Sequence, residues 1–202
     1  MSNAFLQRCG ESTDRIARLR VFWEECLEEG LAEDGVTLEL GCGHGHWLTA
    51  YAEQRPRQLC VGADLITKRV ERANRKKEKR NLPRLRFLKA EAMELIKGMT
   101  PEVTLDETIL LFPDPWPKKR HHKRRLVNDE FLDALAERTV VGGRLYFRTD
   151  HEEYFTWALE KVSKHALWRL LPEEPWPLEH ETYFQNILPK HQSFAAEATP
   201  SS

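Results

Sequence analysis

The sequence predicts an α/β protein: a mostly parallel central sheet with helices on both faces and an antiparallel hairpin closing its C-terminal edge. Three observations carry this. Short apolar runs recur along the chain and alternate with segments of helical period, the order that builds parallel strands joined by crossover helices. The first clear run, "VTLEL", empties into a glycine-rich turn and then a helical pattern. At 202 residues the chain suits one domain with a full core, without a low-complexity linker or internal repeat to divide it.

Each element has its own justification. Residues 1–34 form an N-terminal helical segment, its helix beginning near the capping cluster Ser12-Thr13-Asp14, and "VTLEL" (36–40) is the first strand. "GCGHGHWLTAYAEQ" is a glycine turn running into a helix. "QLCVGADL" is the second strand, and Lys68–Arg80 is the helix after it, stopped before Pro83. "LRFLKA" is the third strand, "EAMELIKGM" a short helix, and "LDETILLF" the fourth strand. Asn128 is placed to cap "DEFLDALAERTV", and Gly142-Gly143 turns the chain into a fifth strand, "RLYFRTD", with a helix from about Glu152 to Lys164 behind it. "ALWRLLPEEPWPLEHETYFQNIL" offers two short strands around a proline-rich loop, which would form the closing hairpin. Residues 192–202 read as a disordered tail. The expectation is thus a single domain over 1–202.

Charge narrows the function. Thirty-one basic and 32 acidic side chains nearly cancel, so nucleic-acid binding requires local segregation. Lys68–Arg80 and Lys118–Arg125 are strongly basic, and "EECLEEGLAEDG" is acidic. For Lys68–Arg80 a solvated helix face is as good a reading as a binding surface. No apolar run is long enough to span a bilayer and no signal-peptide pattern is present, so the expected location is the cytoplasm. Cys9, Cys26, Cys42 and Cys60 form no C-x-x-C pair and read as reduced thiols. No metal site is expected; His44 and His46 lack a carboxylate or thiolate at ligand spacing.

In open α/β sheets, ligands bind beyond the carboxyl ends of the strands. Gly41, Gly43 and Gly45 form G-x-G-x-G at such an end, where the backbone can approach a ligand without Cβ interference. The dinucleotide fingerprint needs glycine at position 46, and this chain has His46. Asp64, ending the second strand, is spaced to accept from two ribose hydroxyls. Glu39, the glycine turn and Asp64 together resemble the S-adenosylmethionine site of the class I methyltransferases, whose fold is Rossmann-like. Glu39 would lie near the cofactor's cationic amino-acid end and Glu91 near its adenine amine. The plainer reading of Glu91, an acid in a first helical turn, stays open.

The fourth strand ends in "LFPDPWPKKRHHKRRL" (111–126), an apolar run, an aspartate between two prolines, and a basic block. Pro113 and Pro115 stiffen the loop around Asp114. A carboxylate matches the donor pair on the Watson–Crick edge of guanine, and a positive segment beside an unpaired base is a common way of reading flexible RNA. This motif resembles the signature of the bacterial-type, single-subunit tRNA (guanine-N(7))-methyltransferases. The likeness runs in order from "LELGCGHGHWL" through "GADL", this motif and "FRTDHEEY" to "TYFQ".

The resemblance implies methylation of guanosine 46 in the tRNA variable loop, with tRNA as partner, no DNA, and a monomer or homodimer. By motif position it assigns Glu39, Gly41, Gly43, Gly45, Asp64, Glu91 and Asp114 to the cofactor, with Asp114 also catalytic. It assigns Lys118, Asp150, Thr182, Tyr183, Phe184 and Gln185 to the substrate, and Arg120, His121, His122, Lys123, Arg124 and Arg125 to RNA contact. Asp150 has a second reading, as the cap of the following helix. Gln185 departs from the family, where glutamate is usual. Two alternatives stay open: a non-catalytic RNA-binding protein of this fold, and a class I methyltransferase acting on another guanine or a small molecule.

Overall fold

The computed structural model describes residues 3–179 and 190–200. In chain order the elements are α1 (Asn3–Glu28), β1 (Val36–Leu40), α2 (His46–Gln54), β2 (Leu59–Asp64), α3 (Thr67–Arg80), β3 (Leu85–Lys89), α4 (Ala92–Gly98) and β4 (Leu105–Leu111). There follow a 3-10 helix (Lys119–Arg124), α5 (Asp129–Ala136), β5 (Thr139–Thr149), α6 (Glu152–Lys164), β6 (Trp168–Leu171) and β7 (Gln192–Ala198).

One seven-stranded sheet runs β3-β2-β1-β4-β5-β7-β6 among the described residues. The pairs from β3 to β5 are parallel, and β7 runs antiparallel to both β5 and β6. The chain leaves β1 for β2 and β3 on one side, then returns to place β4 on the other side of β1. That reversal makes the C-terminal ends of β1 and β4 the natural binding crevice.

Central strands are buried on both faces, which is why they read as continuous apolar runs. All five residues of β1 and all six of β2 are buried. The two faces carry separate cores. Trp47, Tyr51, Val70, Ala73 and Phe87 gather under α2 and α3. Trp23, Leu95, Phe131, Phe147, Tyr154 and Trp168 gather where α1, α4, α5 and α6 lie. The α1 helix is stapled to α4 by the Trp23 indole N–H donating to the Leu95 carbonyl (3.2 Å) and by Arg15 and Ser12 donating to Glu94.

The expected strands and helices stand close to where the sequence places them, with three corrections. The α1 helix starts at Asn3 and runs through Ser12-Thr13-Asp14 instead of beginning there. The tail expected to be disordered from residue 192 contains β7, inserted between β5 and β6. Its small side chains Ala195, Ala196 and Ala198 are buried, and Phe194 stacks on Phe147 with ring centroids 5.2 Å apart. Among the described residues the partner of β6 is Gln192–Ala198; the second strand expected toward "TYFQNIL" lies outside them. The third correction concerns Gly142-Gly143, which lie inside β5: the register with β4 slips between Leu105 and Glu107, and Gly142 takes φ +83. The glycines form a bulge within the strand and not a turn ahead of it.

Candidate functional site

Burial creates the first half of the site. Glu39 lies on the doubly covered strand β1 and is 3% exposed. The Leu48 backbone N–H, in the first turn of α2, donates to its carboxyl, while Oε2 has no hydrogen-bond partner among the described residues. Desolvation, with Asp64 nearby as a lesser cause, pushes this carboxyl up to about 8. A buried acid with one orphaned oxygen is a site prepared for a cationic or hydrogen-bond-donating partner.

Directly beyond Glu39 the chain turns through Gly41, Gly43 and Gly45, each at positive φ. Gly41 and Cys42 donate to the Ala63 carbonyl at 2.8 and 3.0 Å, tying the turn to the end of β2. A Cβ on Gly41 or Gly43 would meet nothing within 4 Å, so the turn presents an open concave backbone. At Gly45 a Cβ would sit 2.5 Å from Phe87 and 2.8 Å from the Ala73 Cβ. Gly45 is therefore a packing glycine between α2, α3 and β3. Gly45→Ala combines left-handed strain with a core clash and is expected to cost about 2–4 kcal/mol in thermal or urea unfolding. Gly41→Ala should cost about 1 kcal/mol.

Asp64 closes the turn from the other side. Its Oδ2 accepts from the Gly43 N–H (3.0 Å), its Oδ1 from the Ile66 N–H (2.8 Å), and Arg69 stands 3.5 Å away. Leu65 and Ile66 beside it are exposed (64% and 46%), leaving an apolar lip on the rim. Glu91 is the cap of α4, its side chain accepting from the Glu94 N–H at 3.0 Å, and the acid in the first turn of that helix is Glu94. Burial pushes the Cys42 thiol well up, away from a nucleophile's range. His44 and His46 face Arg72 and Lys76, surroundings that repel a metal cation.

The second half is the loop after β4. Phe112 and Trp116 adopt φ of +51 and +44, rare for side chains of their size, and they bracket Pro113-Asp114-Pro115. The Phe112 N–H donates to the Arg148 carbonyl (2.8 Å), anchoring the loop to β5. Asp114 is exposed and has no hydrogen bond or ion pair among the described residues. Asp150, on the neighbouring strand end, is also exposed; His151 and not Asp150 caps α6, its Nδ1 accepting from the Tyr154 N–H. Among the described residues, both carboxylates thus stand exposed on one rim without a hydrogen bond or ion pair.

Lys118, Lys119, Arg120, Lys123 and Arg124 are exposed on the 3-10 segment, with His121 half-buried against Trp116. Arg124 lies over the Trp116 ring at 4.9 Å. Arg125 departs from the expected RNA contact. Its side chain is fully buried: Nε donates to the Pro115 carbonyl (2.9 Å), Nη2 to Glu153 (3.3 Å), and the rings of Tyr154 and Trp157 enclose it. Being enclosed, it ties the Asp114 loop down and cannot reach a phosphate. His122 is also largely covered, 3.2 Å from Glu153. Thr182, Tyr183, Phe184 and Gln185 lie outside the described residues.

A methyltransferase family model, described as "Putative methyltransferase", matches residues 33–198. The chain belongs to this family. Among curated relatives it is 35% identical over 154 residues to the tRNA (guanine-N(7)-)-methyltransferase of Thermus thermophilus, covering 76% of this chain and 50% of that one. With the enzyme of the same name from Rubrobacter xylanophilus it is 37% identical over 139 residues, covering 69% and 62%. The chain therefore spans half to about three-fifths of the relatives' length. Two solved structures share the fold: the aminoglycoside resistance methyltransferase NpmB1 (TM-score 0.60, 19% identity, 87% of this chain and 93% of that one) and TrmN from Thermus thermophilus (0.58, 20%, 89% and 48%). The architecture is that of the class I methyltransferases.

Within this methyltransferase fold, sequence reasoning missed two side chains that shape the rim. Arg148, 3% exposed, stacks on Trp176 at 4.0 Å and forms two hydrogen bonds with Glu179 (2.7 and 2.9 Å). The Trp47 indole donates to the Leu178 carbonyl (2.9 Å). Together they fasten the 172–179 loop to the end of β5 and to the first turn of α2. The one signal for this was Arg148 itself, a cation directly after the apolar run Leu145-Tyr146-Phe147 in β5. Among the described residues, no helix is long and apolar enough to cross a membrane.

Proposed function

We propose that this chain, acting in the cytoplasm, transfers a methyl group from S-adenosylmethionine to N7 of guanosine 46 in the variable loop of tRNA. The observation that carries the reading is one shared rim. It holds a buried, half-unpartnered Glu39 beneath an open glycine turn, and beside that a rigid carboxylate loop leading into an exposed basic segment.

The residues fit the donor. Glu39 would face its ammonium group, Gly41 and Gly43 its backbone-like portion, Asp64 its ribose and Glu91 its adenine amine. The Asp64 oxygens keep acceptor capacity beyond the two N–H groups they hold. When bound, S-adenosylmethionine supplies a methyl group on a sulfonium, activated for displacement. Guanine N7 carries a free lone pair, so the chain need not provide a base. Its task is alignment, which at the limit is worth about 7–11 kcal/mol. Asp114 and Asp150 offset the positive charge that develops on the purine. Lys118, Arg120, Lys123 and Arg124 hold the RNA backbone, and Thr182 to Gln185 complete the substrate side.

The Glu39 carboxyl gives a prediction with a definite sign. Folded, it keeps its proton up to about pH 8; unfolded, it ionises near the usual carboxylate value of about 4.3. Between those values the folded state binds more protons, so stability of the free protein declines as pH rises and levels off above 8. Thermal melts from pH 5 to 9 should show this decline in the parent and a flatter profile in Glu39→Gln. A cation bound beside Glu39 expels its proton. Calorimetric titration of S-adenosylmethionine at pH 7, in buffers of different ionisation enthalpy, should therefore register release of about one proton in the parent and none in Glu39→Gln.

The reaction itself is tested with labelled S-adenosylmethionine and unmodified tRNA transcripts bearing guanosine or adenosine at position 46. Label recovered as 7-methylguanosine from the first transcript alone supports the proposal. Label in both transcripts would move the site, and tRNA binding without label would make the chain an RNA-binding protein of this fold.

A further inference from the structure

The outer face of α3 is built like a binding surface. Between Lys68 and Arg80 there are eight basic and two acidic residues, in a chain whose formal net charge is −1. Lys68, Arg72, Arg75 and Lys79 are exposed and recur at i, i+4, i+7 and i+11, which puts them in one stripe opposite the buried Val70 and Ala73. None of the four has a carboxylate within ion-pair distance among the described residues. Like charges at this spacing destabilise an isolated helix, so the stripe costs the fold something, and its one hydrogen-bonding contact among the described residues is the long one from Arg72 to His44.

The stripe also faces the right way. Arg69 pairs with Asp64 and Arg80 with Glu53 of α2, so the basic flank of α3 is turned toward the glycine turn. The Lys76 ammonium donates to the His44 carbonyl (2.6 Å) and lies 3.0 Å from His46 Nε2; Arg72 lies 3.5 Å from His44 Nε2. Asn74, on the opposite flank, donates to the Phe87 carbonyl of β3 (3.2 Å). Desolvation, then the crowding of Arg72 and Lys76, holds His44 below its ordinary value; desolvation, then Arg80 and Arg72, does the same to Lys76. Positive charge is thus packed beyond what the fold neutralises, beside the site. Two strand spacings, about 10 Å, separate the end of β4, which carries Asp114, from the end of β2, which feeds α3.

We infer that the exposed face of α3, from Lys68 to Lys79 together with His44, is a second anchor for the tRNA phosphate backbone, on the far side of the glycine turn from the 3-10 segment. The inference rests on the reading of tRNA as substrate. The two basic surfaces grip the RNA on either side of the reacting guanosine, so α3 contributes affinity and salt dependence and no base recognition.

The test is the salt dependence of tRNA binding by the full chain, compared between Arg72→Gln/Arg75→Gln and a matched control, Lys161→Gln/Lys164→Gln. The control lysines lie on α6, paired with Asp129 and Glu160. Each phosphate that is no longer neutralised lowers the slope of log Kd against log salt by about 0.9, so the α3 variant should lose about 1.8 and bind about ten-fold more weakly near physiological salt. S-adenosylmethionine affinity should stay at the parental value, the melting temperature should not fall, and the control should keep the parental slope. An unchanged slope in the α3 variant, or an equal drop in the control, overturns the anchor while the parent's own binding leaves the tRNA reading standing. A parent that does not bind tRNA removes both.

Discussion

Turnover at saturating tRNA and cofactor falls about 10²–10³-fold in Asp114→Asn, and the fold is left intact. The size follows from where Asp114 stands. Its carboxylate has no hydrogen bond or ion pair among the described residues, so losing the charge removes nothing the fold depends on. Its loop is nevertheless held in a costly shape. Phe112 and Trp116 both sit in the left-handed region, at a cost of about 1–3 kcal/mol each. A strained loop around an exposed carboxylate is economical only if the carboxylate must point in one direction. Asparagine keeps the shape and one acceptor oxygen but cannot offset positive charge as it develops on the purine. The effect should therefore appear in kcat, with Kd for S-adenosylmethionine within a few-fold of the parent. A variant that turns over at the parental rate would remove Asp114 from the chemistry.

The fold was legible where burial is two-sided and local. "VTLEL" and "LCVGAD" are apolar enough to be strands in any context, and Asn128 caps α5 as its position suggests, accepting from the Phe131 N–H at 3.0 Å. The C-terminal edge was not legible. "QSFAAEA" is small and polar, with little β propensity of its own. It becomes a strand because β5 and β6 each offer it a partner, and the pairing buries Ala195, Ala196 and Ala198. Long-range pairing of this kind leaves no periodic trace to read.

The site divides in the same way. The glycine turn, Asp64 and Asp114 are marked by residue types that a loop or strand end does not otherwise need. Glu39 is identifiable as an acid on a buried strand, but its orphaned oxygen depends on how α2 docks, which only the tertiary structure fixes. The basic block was the hardest to divide. Eight consecutive residues from Lys118 to Arg125 look interchangeable in sequence. The wall of α6, with Tyr154 and Trp157, encloses the last of them and largely covers His122, while Lys118, Lys119, Arg120, Lys123 and Arg124 stay in water.

That enclosure makes Arg125 the second large effect. Arg125→Ala removes a donor from the Pro115 carbonyl, leaves a cavity between two aromatic rings, and releases Glu153. Glu153 is 55% exposed, so solvent screens the missing pair and the ionic share of the cost is small. The cavity and the buried hydrogen bond dominate, at about 2–4 kcal/mol together. For a domain of this size that lowers Tm by about 4–16 °C. Turnover should fall as well, since the Pro115 carbonyl is the point by which the Asp114 loop is held to α6. Arg125→Lys keeps the charge but not the planar fork, and one ammonium on a flexible stem is a poor substitute for a guanidinium bridging Pro115 and Glu153. It should recover part of the stability and little of the rate. The opposite pattern is the one the sequence alone would suggest: an unchanged Tm, with tRNA affinity and its salt slope reduced in Arg125→Ala. That outcome would return Arg125 to the RNA-binding surface, whereas a fallen Tm with the parental salt slope fixes it as the clamp beneath Asp114.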